Sequence, residues 1–284
     1  MSNKTPTAPP QPRSKGFSHS TSSRLKRSKV PLVFTGLAVF TISAYGTQLY
    51  VSWKNIPEPS AQVSKVESQS SVSHVYDRIA KDYDSNIKLS EFWMGMPLLR
   101  RLLARKLEGH VLEVSAGTGR NIKYYPVNHC GSITLVDSSS SMLDQARRNF
   151  RERYPHYKNV RFVLQDAEAP IPSPAGQGYD RVVQTMGLCS HHSPVQLLQN
   201  LESLCKKDGG KIILLEHGRS HYDWLNKILD YGAPKHAETW GCWWNRDIEG
   251  ILKESGLNVE KISRYHFGTT YWIEATPRQQ ERSE

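Results

Sequence analysis

The stretch Val111–Asn121 (VLEVSAGTGRN) constrains the fold more than any other part of this chain. An apolar run with one embedded acid, Glu113, gives way to small residues and to two glycines, Gly117 and Gly119. This pattern is typical of a buried parallel strand that turns tightly into a helix. The glycines let the backbone approach a ligand, and the start of the following helix offers unpaired N–H groups. The stretch therefore predicts the nucleotide-binding turn of an α/β domain.

Short apolar runs and amphipathic segments alternate after this turn. The predicted strands are Ser132–Asp137, Val160–Leu164, Asp180–Met186, Lys211–Glu216, Leu257–Ile262 and Thr270–Ala275, and helices are predicted at Ser138–Tyr154, at Pro194–Lys206 and from about Arg246. Strands that alternate with helices at this spacing predict a parallel sheet with helices on both faces. Ligands of such sheets bind at the carboxyl ends of the strands.

Two further helices are predicted before the turn. Val72–Ser85 carries apolar residues at helical spacing, which predicts a helix that packs on a core. The second, about Phe92–Leu107, places four leucines (Leu98, Leu99, Leu102, Leu103) beside four basic residues (Arg100, Arg101, Arg105, Lys106). We expect its basic face to be solvated, and a contact with acidic lipid is the alternative.

The spacing of the turn argues against a dinucleotide. A G-x-G-x-x-G fingerprint would place its third glycine at position 122, where this chain has the branched Ile122. Asp137 lies 18 residues after Gly119 at the end of the second strand, about where an acid meets a ribose.

The motifs resemble those of class I S-adenosylmethionine-dependent methyltransferases. The first motif stands here as Glu113-Val-Ser115-Ala-Gly117-Thr-Gly119, with Ser115 where the family usually has glycine. The likeness continues through Val136-Asp137, the segment QDAE at 165–168, the segment YDRVV at 179–183 and Gly209-Gly210. The resemblance implies a Rossmann-like seven-stranded sheet with an antiparallel last strand, and S-adenosyl-L-methionine as the cofactor.

The resemblance also implies roles for single residues. Gly117 and Gly119 would admit the methionine part, Asp137 would accept from the ribose hydroxyls, and Asp166 with Ala167 would hold the adenine. Tyr76 and Tyr83 would close over the cofactor, with core packing as the alternative for both. The predicted cofactor-binding set is Tyr76, Tyr83, Glu113, Ser115, Ala116, Gly117, Gly119, Asn121, Asp137, Ser138, Met142, Asp166, Ala167 and Glu168.

A nearer resemblance is to the ubiquinone/menaquinone C-methyltransferase-like branch, which opens with a YDxIAxxYD helix, here at 76–84. Fungal mitochondrial inner-membrane methyltransferase-like proteins are most similar, because they share a basic leader, one membrane span, and the segments LEHGRS (215–220) and GCWWNRDI (241–248). This likeness implies a mitochondrial inner-membrane location, with the endoplasmic reticulum as the alternative.

Methyl transfer needs positioning and, for a weakly acidic acceptor, a base. Histidines follow the ends of two predicted strands: His191 and His192 after the fourth, and His217 after the fifth. A histidine there titrates in the useful range, although one held by a loop hydrogen bond is equally expected. The aromatic segment 221–245 is predicted to be either a hydrophobic lid or an apolar acceptor pocket.

The basic charge of the chain is concentrated in its leader. Residues 1–57 hold eight of the 37 Lys and Arg residues and no acid, so the remainder has 29 basic and 27 acidic residues. The acid-free segment 1–29 is typical of an organelle targeting peptide, with a disordered basic tail as the alternative. The 24 uncharged residues Val30–Trp53 are predicted to span a lipid bilayer as one transmembrane helix. A polar linker (54–71), the domain (72–276) and a tail (277–284) follow.

The four cysteines show no CxxC pair and no metal-ligand spacing, so we expect free thiols and no metal. The sequence as a whole predicts a membrane-anchored S-adenosylmethionine-dependent methyltransferase that acts on a small or lipophilic acceptor. A non-catalytic assembly factor with the same fold is one alternative. A protein or RNA methyltransferase is another, and the nearly neutral domain argues against nucleic acid.

Overall fold

The computed structural model describes residues 30–56, 71–172, 176 and 178–278. The predicted targeting leader, most of the linker and the last six residues of the tail lie outside this range. Helix α1 (Val30–Lys54) coincides with the predicted span, and its side chains from 33 to 51 are exposed. Within the described residues, no helix has the length and apolar character needed to cross a membrane.

A seven-stranded sheet forms the centre of the unit that starts at Asn55. Its strands are β1 (Gly109–Val114), β2 (Cys130–Asp137), β3 (Val160–Leu164), β4 (Arg181–Thr185), β5 (Lys211–His217), β6 (Asn258–Tyr265) and β7 (Thr270–Thr276). They lie in the order β3-β2-β1-β4-β5-β7-β6, and β7 alone runs antiparallel to both of its neighbours. The predicted seven-stranded α/β sheet and its antiparallel last strand are confirmed.

The central strands are buried on both faces, which explains their nearly continuous apolar runs. In β1, Leu112 packs into one core cluster and Val111 into the other, because successive side chains of a strand point to opposite faces. Helices α6 (Pro194–Leu204) and α8 (Ile248–Ser255) contribute to the first cluster and α5 (Ser140–Arg153) to the second, and α7 (Asp223–Trp240) lies between α6 and α8 in the sequence. The aromatic segment 221–245 is thus largely the helix α7.

The N-terminal helices differ from the prediction. The single helix predicted over 72–85 is wrong, since the chain breaks into α2 (Ser73–Ile79) and α3 (Tyr83–Trp93), and α4 (Met96–Ala104) follows. No residue of α3 is buried, so it is held through polar side chains rather than through an apolar stripe. In α4, Arg100 is 5% exposed, and the expectation that it belongs to a solvated face is wrong. Such tertiary ion pairing is not visible in the periodicity of one segment.

The helix expected directly after the β1 turn is also wrong. A single 3₁₀ turn, Ile122–Tyr124, stands in its place. Pro126 explains the early stop, because a proline pushes the preceding residue out of the helical region, and Tyr125 is indeed extended.

Candidate cofactor site

A cavity of about 350 Å³ opens at the carboxyl ends of β1, β2 and β4. This volume suits a small organic molecule. Eleven of the fourteen predicted cofactor residues line it: Tyr76, Tyr83, Ser115, Ala116, Gly117, Asp137, Ser138, Met142, Asp166, Ala167 and Glu168. The topology of the sheet therefore brings the motifs of four separate segments to one space.

The other three predicted residues lie beneath this lining. Glu113 and Asn121 are fully buried, and Asn121 Nδ2 donates to Glu113 Oε1 at 2.9 Å. Burial raises the pKa of Glu113 to about 7. Gly119 packs against Ile122, whose Cδ1 would lie 2.1 Å from a Cβ at position 119. These three residues do not line the cavity, and their direct contact with the cofactor stays a prediction.

Ser115 adopts the left-handed backbone conformation (φ 51°), which explains why a glycine would suit this position. Its hydroxyl accepts from Gln184 Nε2 at 3.0 Å and lies 2.8 Å from His191 Nε2. These two hydrogen bonds offset the conformational cost, which is on the order of 1–2 kcal/mol for a non-glycine residue. The serine thus links the first motif to the loop after β4.

Asp137 closes the turn from the end of β2. Its Oδ2 accepts from the Gly117 N–H at 2.7 Å and its Oδ1 from the Ser139 N–H at 2.9 Å. Burial raises the pKa of this carboxyl, while the two backbone hydrogen bonds act in the opposite direction. Each carboxylate oxygen keeps a further lone pair, so the group can still accept from a ligand hydroxyl.

Helix α3 is tied over the turn by charged side chains. Asp84 Oδ1 accepts from Thr118 Oγ1 at 2.7 Å and from Arg120 Nη1 at 3.0 Å. Glu91 accepts from Arg120 Nε at 2.9 Å and from Arg100 Nη2 at 2.8 Å. Charge-assisted hydrogen bonds of this kind are stronger than neutral ones. The two guanidinium groups, which also line the cavity, were missed by the sequence analysis.

The aromatic residues of the N-terminal helices form one side of the cavity. The Tyr76 hydroxyl lies 2.6 Å from Ser190 Oγ, and the Tyr83 ring meets Trp240 of α7 edge to face at 6.2 Å. Burial raises the pKa of both phenols well above their usual range, so both stay neutral. They can exclude water from the cavity without adding charge to it.

Comparison with known proteins identifies the family. A family model described as a methyltransferase domain matches residues 87–262. The chain belongs to this methyltransferase domain family. Its relatives include the mitochondrial methyltransferase OMS1 of Saccharomyces cerevisiae, 42% identical over 215 residues, which cover 72% of this chain and 45% of OMS1. The chain thus spans less than half of that relative's length.

A more distant relative is similar in sequence, and two solved structures are similar in fold alone. The ubiquinone/menaquinone biosynthesis C-methyltransferase UbiE of Hahella chejuensis is 29% identical over 177 residues, 60% of this chain and 68% of that protein. The methyltransferase solved with the Trm112 activator of Haloferax volcanii has a TM-score of 0.58 at 14% identity, and the match covers 75% of this chain and all of that one. The DhpI–SAH complex has a TM-score of 0.51 at 18% identity, covering 75% and 96%. The predicted family and its cofactor, S-adenosylmethionine, are confirmed.

The residues of this methyltransferase domain fit that cofactor. Gly117 lines the cavity with φ 56°, and a Cβ at this position would meet no atom within 4 Å. The left-handed backbone favours glycine here, and packing within the chain leaves the space in front of it open. Asp137, Asp166 and Glu168 add carboxylate acceptors around the same cavity, as hydroxyl and amine donors of a nucleoside and an amino acid require.

His191 is the candidate base with the most defined surroundings. Its Nδ1 lies 3.3 Å from Glu168 Oε1, and its Nε2 faces Ser115. The pKa of Glu168 is lowered, first by its hydrogen bond to His191, so the carboxylate is ionised at neutral pH. A carboxylate beside Nδ1 favours the tautomer with its proton there. Nε2 then carries the lone pair that a base needs, and in this structure it faces the Ser115 hydroxyl.

The structure separates the other two candidate histidines. His192 is exposed and also lines the cavity. His217, at the end of β5, is not among the residues that line it, and its Nε2 lies 2.8 Å from Cys242 Sγ. His217 thus matches the alternative prediction, in which a hydrogen bond to a loop holds the histidine side chain.

Proposed function

We propose that this chain transfers a methyl group from S-adenosylmethionine to a small or lipophilic acceptor. The observation that supports the proposal is that the cofactor cradle and one oriented histidine share a single cavity. Gly117 and Asp137 belong to the cradle, and His191 lines the same cavity, with its Nε2 2.8 Å from Ser115 Oγ.

When bound, S-adenosylmethionine supplies a methyl group on a positively charged sulfur, and this sulfur is the leaving group when the acceptor attacks the methyl carbon. Asp137 orients the ribose while it holds the turn through Gly117. Glu168 keeps the proton of His191 on Nδ1, and Nε2 receives the proton that the acceptor loses. Tyr76 and Tyr83 restrict water, because their neutral rings form the wall of the cavity.

The surface near the N-terminal helices supports a lipophilic acceptor. Four large apolar side chains of α3 and α4 are exposed by 62–78%: Leu89, Phe92, Trp93 and Leu98. Exposed apolar clusters of this kind mark contacts with lipids or proteins rather than with bulk water. Arg101 and Arg105 follow on α4 and at its end, so basic charge lies beside the apolar cluster, as contact with acidic lipid requires.

A mitochondrial membrane location completes the proposal. OMS1 is named as a mitochondrial protein, and the leader of this chain has the composition of a targeting peptide. Helix α1 carries exposed apolar side chains between Lys29 and Lys54, and we propose that it anchors the domain at the inner membrane in a single pass.

The function is tested by following the methyl group. Cells that express the full chain or its Asp137→Ala variant are grown with methyl-labelled methionine, and their lipids and small metabolites are compared by mass spectrometry. A labelled product that needs Asp137 supports the proposal. Identical product patterns, together with S-adenosylmethionine binding by the purified protein, would favour the non-catalytic assembly factor instead.

A further inference from the structure

Two thiols and one imidazole that are far apart in the sequence meet behind the cavity. Cys189 lies in the 3₁₀ turn Leu188–Ser190 after β4, His217 ends β5, and Cys242 follows the end of α7. One potential ligand atom from each lies within 4.8 Å of the other two, and His217 Nε2 is 2.8 Å from Cys242 Sγ. Both cysteines are free thiols and are at most 5% exposed.

The chemistry of this donor set suits one metal in particular. Two cysteine sulfurs and one histidine nitrogen are characteristic zinc ligands, with Zn–S of about 2.3 Å and Zn–N of about 2.0–2.1 Å. Around a tetrahedral ion these bond lengths separate the donor atoms by roughly 3.6–3.8 Å. His217 Nε2 lies 2.8 Å from Cys242 Sγ, and all three donor atoms lie within 4.8 Å of one another. Small side-chain movements are sufficient to reach the geometry of a zinc site.

A buried carboxylate beside the cluster points to a cation. Glu216 is completely buried, and its Oε2 accepts from the N–H groups of Gly187 and Leu188 at 2.9 and 3.1 Å. Its Oε1 has no hydrogen-bond partner among the described residues. Glu216 interacts electrostatically with both Cys189 and Cys242. A buried carboxyl oxygen without a hydrogen-bond partner is costly, and a cation bound beside it can offset that cost.

Arg246 supplies one positive charge near the same groups, since its Nε donates to the Cys189 carbonyl at 3.1 Å. Its guanidinium group also binds the His191 carbonyl through Nη2, at 2.5 Å. The arginine therefore braces the backbone of the loop after β4.

We propose that Cys189, His217 and Cys242 bind one Zn²⁺ ion. Three protein ligands leave the fourth position of a tetrahedral ion to a non-protein ligand. The site lies one residue behind the cavity wall, because Cys189 Sγ is 3.5 Å from Ser190 Oγ and Ser190 contacts Tyr76. The ion would tie the loop after β4, which lines the cavity, to the end of β5 and to the chain after α7. This proposal does not depend on the methyl-transfer activity.

The zinc content of the purified full-length chain tests this proposal. We expect about one zinc per chain by elemental mass spectrometry after purification without a metal-affinity step. Cys189→Ser and Cys242→Ser should each weaken zinc binding by more than the roughly 10–100-fold that loss of an outer-shell partner costs. The matched controls are Cys130→Ser and Cys205→Ser, which remove buried free thiols outside the cluster and should keep the zinc.

A second measurement avoids variants altogether. Replacement of the bound ion by Co²⁺ in the wild-type chain should give thiolate charge-transfer bands and the intense d–d bands of tetrahedral cobalt. Three results would overturn the proposal: a wild-type chain that takes up no zinc from a buffered solution, cobalt spectra without thiolate bands, or a Cys189–Cys242 disulfide in protein purified without oxygen.

Discussion

Replacement of Asp137 by asparagine should weaken both the turn and the binding of the cofactor. The carboxylate accepts from two backbone N–H groups, at 2.7 Å from Gly117 and 2.9 Å from Ser139. An amide keeps one oxygen, so one of these N–H groups then faces an NH₂ group. An unsatisfied buried donor costs about 1–3 kcal/mol, and a hydrogen bond to a charged group contributes about 1.5–3 kcal/mol.

We therefore expect Asp137→Asn to lower the free energy of unfolding by about 2–3 kcal/mol, which for a domain of this size lowers the melting temperature by roughly 4–12 °C. Affinity for S-adenosylmethionine should fall by about 10–100-fold, because one charged acceptor for the ribose is lost. Calorimetric titration and thermal unfolding of the same preparation measure the two effects.

Asp180→Asn is the matched control. Asp180 also accepts hydrogen bonds from the His110 backbone N–H and from Lys206 Nζ, both at 2.6 Å. It lies at the amino ends of β1 and β4, whereas the cavity opens at their carboxyl ends. This variant should lose stability and keep its cofactor affinity. If both variants bind the cofactor with wild-type affinity, the role of Asp137 in the cradle is refuted.

Four further predictions follow from the same structure. Burial raises the pKa of Glu113 to about 7. Its contribution to the free energy of unfolding is therefore fully present below about pH 4 and falls by at most about 3 kcal/mol as the pH rises toward 7. Urea unfolding should show a free energy that depends less on pH in Glu113→Gln than in the wild type. Glu168→Gln should move the imidazole proton of His191 off Nδ1, which nitrogen NMR detects, and an unchanged tautomer would contradict the role given to Glu168. Gly119→Ala should lower the free energy of unfolding by about 2–4 kcal/mol, because φ is 79° and the new Cβ would clash with Ile122 Cδ1. The double variant with Ile122→Val, which lacks Cδ1, should recover part of this loss. Deletion of residues 30–53 should release the protein from carbonate-washed membranes, whereas a wild-type chain already in the supernatant would refute the anchor.

The extent to which the sequence could predict this molecule differs between its parts. The apolar runs around Glu113 and Asp137 predicted the central strands, because parallel strands buried on both faces need continuous apolar sequence. The number of strands and the antiparallel β7 came from the family resemblance, and the order of the strands came from the structure. The break between α2 and α3 was not predictable, because it depends on ion pairs of Asp84 and Glu91 with arginines outside those two helices.

The candidate site shows the same division. Glycine and acid positions in the motifs predicted most of the cavity, since each follows the end of a strand. The position of His217 beside Cys242, rather than in the cavity, depends on the path of the chain after α7. The cluster with Cys189 was missed for the same reason, because 28 residues separate Cys189 from His217 and 25 more precede Cys242. The expectation of no metal rested on sequence spacing alone, and that spacing does not record which loops meet in three dimensions.

Calorimetric titration of the purified full-length chain with S-adenosylmethionine shows whether the chain binds the methyl donor. We expect saturable binding of one molecule per chain in the micromolar range, and no detectable binding to Gly117→Leu, whose side chain would enter the open space in front of the glycine. A wild-type chain that remains folded and binds none at millimolar concentration, or a Gly117→Leu variant that binds as tightly as the wild type, would contradict the account.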